Sequence, residues 1–425
     1  MKLSLRFKPD WLKLLFAVSV LYTNVISSRF FLIPGLSALL IYVSLMLTCL
    51  QNRTLVLRLF RFEKTIILLT AFGLFNLLSS MITSVNRSTA FEALSNFAEY
   101  VSCAVILVTI CQKDGSIRYA ATLAMIMALS MCILTLISPV NFGENYTGRG
   151  SVYYTFSSAV NPHNVAIMQV LGIWSVLFLQ SYQTQKKSWH SLLTVVLILL
   201  FLFCIILANS RKGILAALLL IVMAFRPYLR LFFSRLKKGN KLLLFGIASL
   251  CVLWVILDGR VVNFFLSQNN LLERLTTQMT GRSNQSRVAL IIEGLQTFAK
   301  HPLFGVGINN ARYYSVYETY THCTYAELLA CCGVFGSLPF VGFLYCTARP
   351  LFRKTRVYHM TNEQKYRLSL ARTLFLVLLL TGFTQIFFYG RGLMYALSMM
   401  AGYSCILKTV PNQNESLQGG RKRFV

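Results

Sequence analysis

Acidic side chains are scarce in this sequence: Asp and Glu together number 13 in 425 residues, against 41 Lys and Arg. Charged residues of both signs reach only 13%, while apolar residues make up 56%; a soluble globular domain carries about 25% charge. A soluble fold is thereby excluded, and a membrane protein is implied. Histidine is rarer still, at five, and the eleven cysteines show no repeated ligand spacing, which argues against a zinc module. There is no Walker A sequence and no soluble nucleotide-binding segment, which disfavours an ATP-driven transporter.

What the chain does have is a series of apolar runs of about 17 to 25 residues, the length a helix needs to cross a bilayer. They fall near 11–27, 31–50, 65–82, 95–112, 118–138, 162–181, 190–208, 213–225, 242–258, 325–348, 373–389 and 392–408. The expected fold is therefore all-α and polytopic, with about twelve transmembrane helices in one integral membrane domain over 1–425. The opening MKLSLRFKPDWLKLLFAVSV has the charged and apolar parts of a signal peptide, but no small-residue cleavage site follows, so it reads as a retained first helix.

Orientation follows from the basic residues. With both termini cytoplasmic, 29 of the 41 Lys and Arg fall inside, 12 of them outside, as the positive-inside rule requires. This accounts for most of the net charge of +28 without a nucleic-acid partner, and a basic inner face attracts anionic membrane lipid. Two hydrophilic stretches are then extracytoplasmic, 139–161 and 259–324. The second is expected to be a helical loop, and one so long usually has a function.

Polar chemistry enters the apolar chain at a few places. In SSAVNPHNVAIMQVLGIW (157–174) Pro162 suits a helix start and Asn161 can cap it; Asn161, His163 and Asn164 are either an ordinary helix entrance or substrate-binding residues. In LANSRKGILAALL (207–219) Arg211 and Lys212 interrupt apolar sequence. Charge there either faces a cavity or snorkels to the interface. In TGRSNQSRVALIIEGLQTFAKHPLFGVGINNARYY (280–314) Arg287 is expected to open a helix whose apolar stripe is Val288, Ala289, Ile291, Ile292, Leu295 and Phe298. Its guanidinium offers a fixed fork of donors suited to phosphate. Pro302, Gly305 and Gly307 then make a turn that returns the chain toward Arg287 and Arg211.

In ETYTHCTYAELLACCG (318–333) His322 stands at the outer mouth of the next apolar run, and Glu327 follows just over a helical turn later. Glu327 either orients the imidazole or pairs with a nearby cation, and counts with Lys212 among the expected substrate-binding residues, or it is structural. Cys323, Cys331 and Cys332 lie nearby with only the one histidine, a poor zinc set. Cys103, Cys111, Cys132, Cys204 and Cys251 read as small buried membrane residues. The topology puts Arg211, Arg287 and His322 on one side of the membrane. Two guanidinium groups can hold an anionic leaving group while an imidazole takes a proton from an attacking hydroxyl. A donor that is already activated and already at the membrane, such as a glycan on a lipid diphosphate, fits both.

On the pieces NPHNVA (161–166), NSRKG (209–213), SRVALIIEGLQTFAKHPLFGVGINN (286–310) and HCTYAELLACCGVFG (322–336), the chain resembles the O-antigen ligase and polymerase superfamily of bacterial envelope glycan enzymes. The resemblance implies an inverting transfer from undecaprenyl diphosphate with no metal and no other cofactor. His322 would activate the acceptor, and Arg211 and Arg287 would bind the departing diphosphate. It also implies the bacterial cytoplasmic membrane, an extracytoplasmic site, and as partners an undecaprenyl-diphosphate-linked glycan, a flippase and a chain-length regulator. Two departures stand out: RVALIIEG lacks the tryptophan of many relatives, and HCT replaces the commoner HNT. The expected activity is polymerisation of lipid-linked repeat units. The alternatives are ligation of the glycan to lipid A core or another acceptor, and transport of the glycolipid.

Overall fold

The structure, a computed structural model, describes residues 10–26, 35–137, 162–183, 188–208, 210–235, 282–353 and 360–409. Among these residues it is all-α apart from short 3-10 and π turns. The helices are α1 (Trp11–Leu21), α2 (Leu36–Gln51), α3 (Arg53–Phe62), α4 (Lys64–Thr83), α5 (Arg87–Asp114), α6 (Arg118–Leu136), α7 (Pro162–Gln180), α8 (Ser188–Leu207) and α9 (Arg211–Arg235), then α10 (Arg282–Lys300), α11 (Thr324–Phe352), α12 (Asn362–Thr381) and α13 (Arg391–Thr409). Six, α4 to α8 and α11, are long and apolar enough to cross a membrane, and the pair α2 and α3 makes a seventh if its 100° bend is counted within one span.

The expected count of about twelve is therefore met only in part. The run at 242–258, the loop 139–161 and residues 259–281 lie outside the described residues. Elsewhere the sequence pattern misplaced boundaries for local reasons. The basic stretch after α2 is a helix, not a turn: Val56 and Leu59 are buried while Arg53, Arg58 and Arg61 face out, the pattern of an interfacial amphipathic helix. α12 starts well before the apolar run because Thr361 and Gln364 form a reciprocal capping box. Its first eleven residues consequently carry Glu363, Lys365, Arg367 and Arg372, too polar for a simple span.

α10 also differs. It begins at Arg282, so Arg287 lies in its second turn. The buried face is Leu290, Gly294 and Thr297, while Val288, Ile292 and Leu295 are exposed. Gly294 decides the register: a Cβ there would come within 2.7 Å of the Thr321 methyl group, so the helix closes on the start of α11 along its small-residue face.

The core is apolar and aromatic. Phe72 of α4 packs at ring-centroid distances of 5.0 Å on both Phe97 of α5 and Phe340 of α11, and Trp174 of α7 donates its indole N–H to the Leu370 carbonyl of α12 at 2.9 Å. Around this core the helix ends gather in two sets. At one, Lys13 bridges to Asp114 at 2.8 Å and Lys408 to Glu63 at 2.7 Å, and Arg367 lies over the Tyr182 ring. At the other, the N-terminal ends of α5, α7, α9, α11 and α13 meet the C-terminal ends of α4 and α12.

Candidate active site

The loop after α10 is built into a broken helix. Gly333 of α11 has φ 61° and ψ −167°, which interrupts the helical ladder. In an apolar span the freed backbone groups need partners from protein, and the segment 302–307 supplies them. Val306 and Gly307 donate their N–H groups to the Ala330 and Cys331 carbonyls at 3.1 and 2.9 Å. Val334 and Phe335 donate in return to the Pro302 and Leu303 carbonyls at 2.8 and 3.2 Å. Only glycine fits the closest point: Gly305 has φ 69°, and a Cβ there would meet the Cys331 carbonyl at 2.4 Å. Ser79 and Ser80 of α4 hold the other side, through the Phe304 carbonyl at 2.8 Å and the Ile308 N–H at 3.1 Å. Pro302, Gly305 and Gly307 thus form the turn the sequence indicated, and its anchorage explains why it needs two glycines.

From this anchor the chain continues through Asn310, whose buried amide accepts from the Asn86 N–H at 2.8 Å and donates to the Asn86 carbonyl at 3.2 Å. It then rises past Tyr320 and His322 into α11. A cavity of about 470 Å³ opens there. His322, Arg287, Lys212, His163 and Asn164 line it, together with Glu92, Asn96, Asn309, Arg312, Tyr320 and Tyr389. α7, α9 and α13 begin beside it, so their positive dipole ends add to the cationic side chains in favouring an anion.

His322 has a left-handed backbone, φ 57°, a conformation uncommon outside glycine and concentrated at functional sites. Its neighbours hold it there. The Thr321 N–H donates to Glu327 Oε2 at 2.9 Å, the Tyr389 hydroxyl donates to Glu327 Oε1 at 3.2 Å, and the Tyr320 ring lies 4.3 Å from the imidazole, centroid to centroid. Burial first, and then the charges of Arg287 and Lys212, pull the imidazole below its ordinary histidine value. A lowered value keeps the ring neutral and able to accept a proton at neutral pH.

The structure therefore brings His322, Arg287, Lys212, His163 and Asn164 together at one cavity. Arg211 is the first residue of α9, adjacent to Lys212, and the helix is capped by Ser210, whose Oγ accepts from the Gly213 N–H at 3.3 Å. The same hydroxyl lies 3.2 Å from His163 Nδ1. Asn161 lies outside the described residues. Glu327 is not among the cavity-lining residues: it is fully buried and bonded to Thr321 and Tyr389, the arrangement of a residue that holds the backbone beside His322 and not of one that meets a substrate directly. Arg312, Tyr320 and Glu92 were missed. Arg312 sits in a segment that reads as plain loop, whereas Glu92 and Asn96 carried a usable signal, polar residues at i and i+4 on the face of a helix heading into the membrane.

The cysteines among the described residues are free, Cys323, Cys331 and Cys332 included. Among the described residues no three His, Cys, Asp or Glu side chains gather to hold a metal ion.

The family model described as O-antigen ligase matches residues 195–341, which include Lys212, Arg287, His322 and the Gly333 break. The chain carries an O-antigen ligase domain. No curated protein matches it. Among solved structures, a chain from a peptidoglycan synthase complex that coordinates polymerization and crosslinking is 14% identical with a TM-score of 0.44, covering 81% of this chain and 95% of that one. The O-antigen ligase domain spans the second half of α8, α9, α10 and the first part of α11. Glu92, Asn96 and Tyr389 reach the same cavity from outside it.

Proposed function

We propose that this protein polymerises undecaprenyl-diphosphate-linked oligosaccharide repeat units at the extracytoplasmic face of a bacterial inner membrane, for capsule, exopolysaccharide or O-antigen. The observation that carries this reading is the cavity in which a neutral-leaning His322 lies beside Arg287 and Lys212. The imidazole takes the proton of an acceptor hydroxyl as its oxygen attacks the anomeric carbon of the donor sugar. The bond from that carbon to the diphosphate oxygen breaks on the opposite face, which inverts the anomeric centre. The electron pair leaves with the undecaprenyl diphosphate, whose charge Arg287, Lys212 and Arg211 stabilise. His163 and Asn164 extend this wall at the helix start. Cationic side chains and helix dipoles take all the developing charge, so the step needs no metal.

The topology belongs to the same reading: about twelve spans in one integral domain, both termini cytoplasmic, and 259–324 outside. A flippase would supply the donor and a chain-length regulator would meet the product. The test is transfer by the purified protein supplied with an undecaprenyl-diphosphate-linked repeat unit. A ladder of longer lipid-linked glycans, lost in His322→Ala and Arg287→Ala, supports polymerisation. Transfer only when lipid A core is added makes the protein a ligase, in line with the matched family model. No transfer to any acceptor, with glycolipid movement in liposomes, overturns both.

A further inference from the structure

The cavity has two walls of different chemistry. One is made by the helix starts at His163 and Lys212, where Lys212 Nζ is held by the Thr384 carbonyl at 3.1 Å, together with Arg287. The other is made by the first turns of α5 and the segment 309–313, joined by the Asn86 to Asn310 pair and by a 2.9 Å hydrogen bond between Thr89 Oγ1 and the Tyr313 hydroxyl. We propose that this second wall, Glu92, Asn96, Asn309 and Arg312, is a sugar subsite that reads the hydroxyl groups of the repeat unit next to the bond being made. The proposal rests on the glycosyl-transfer reading above and adds what that reading leaves open, the part of the substrate that is recognised.

Three observations carry it. First, the groups are those that match hydroxyls. A carboxylate accepts from them and a guanidinium donates to them. Second, opposite charges line one cavity without pairing. Glu92 and Arg312 form no salt bridge, and Arg312 Nε is buried with no hydrogen-bond partner among the described residues. Arg312 is instead aimed by Asn309, which accepts from its Nη2, and Asn309 takes up a left-handed backbone, φ 60°, to do so. Two such groups on separate elements with space between them suit a neutral polar ligand bridging them; a diphosphate would be repelled by Glu92. Third, Tyr320 and Tyr389 line the cavity between the walls, giving apolar ring faces with polar tips.

The experiment compares two ligands on the full-length protein in nanodiscs: undecaprenyl diphosphate alone, and the undecaprenyl-diphosphate-linked repeat unit isolated from cells that express this protein. Arg312→Gln and Glu92→Gln should weaken binding of the linked repeat unit about tenfold or more and leave undecaprenyl diphosphate binding unchanged. Arg287→Ala should weaken both. Glu92 is exposed and its side chain has no hydrogen bond among the described residues, so Glu92→Gln tests the subsite even if Arg312→Gln fails to fold. Equal losses with both ligands, or no loss with either variant, overturn the subsite. If Arg287→Ala keeps full affinity for undecaprenyl diphosphate, the transfer reading fails instead, and the two failures are distinguishable. In single-turnover assays, a raised half-saturation for the added repeat unit assigns the subsite to the acceptor, and for a preformed chain to the donor.

Discussion

The two ends of the helix bundle treat charge differently, although Arg391 at the second end does lie 4.0 Å from Glu99. At the end where α1, α5 and α13 present Lys13, Asp114 and Lys408, cations are matched to carboxylates: Lys13 with Asp114 at 2.8 Å, Lys408 with Glu63 at 2.7 Å. At the other end, Arg287 and Arg312 line a cavity and form no salt bridge among the described residues. The acidic residue in that cavity, Glu92, is also left unpaired. Acidic residues are few in this chain, 13 in all, and where they occur beside cations they are mostly used at the first end. Charge that the protein itself does not neutralise near a membrane is costly unless something else meets it. The difference separates charges that hold helices in place from charges held ready for a ligand.

This contrast can be broken by substitution. The largest effect is expected from His322→Ala, with transfer falling by about 100- to 10,000-fold while thermal unfolding stays near wild type. A proportional loss of folded protein would instead make His322 structural. Arg287→Ala should cost about 100- to 1,000-fold in turnover, measured with saturating lipid-linked repeat unit. Next comes Gly305→Ala, which forces a side chain into left-handed backbone against the Cys331 carbonyl and should destabilise the protein by at least about 2 kcal/mol. Unfolding in detergent monitored by intrinsic fluorescence would check it.

Lys212→Ala sharpens the comparison without abolishing it. Removing that charge raises the His322 imidazole toward its ordinary value, so the base is protonated at higher pH. The acid limb of the rate profile should move up in pH relative to wild type; an unmoved limb would separate Lys212 from the base. The smallest effect belongs to the paired end. Lys13→Ala should change stability by no more than about 1 kcal/mol and leave transfer rates alone, because its bridge to Asp114 is partly exposed.

Much of the site was legible because it lies where rare residues interrupt apolar sequence. His322, Arg287 and Lys212 each stand at a boundary between polar and apolar runs, and only the topology was needed to put them on one side. The register of α10 was not legible. Val288, Ile292 and Leu295 look like a core stripe, but the face that packs is chosen by Gly294, the one position that admits Thr321. Hydrophobicity cannot tell core from lipid when both are apolar. Which of the readings of Glu327 applies was not legible for a related reason: its partner, the Thr321 amide, is set by the turn of the chain and not by any sequence pattern. The helix bounds were misplaced where apolar runs such as 373–389 proved to be a helix end, a turn and a short 3-10 segment.

The segment threaded into the Gly333 break also limits how the machine can move. Four backbone hydrogen bonds tie it to α11 about 14 Å along the helix from its start, and each one broken inside an apolar span would strand a donor and an acceptor at a cost of several kcal/mol. Such a segment cannot swing open in each catalytic cycle. It is a fixed wall at the base of the chain that leads to His322. On the proposed polymerase reading, access for a bulky glycan and release of a lengthening one then come from sideways exchange with the bilayer or from the opposite wall, which sets where mobility should be sought by hydrogen exchange.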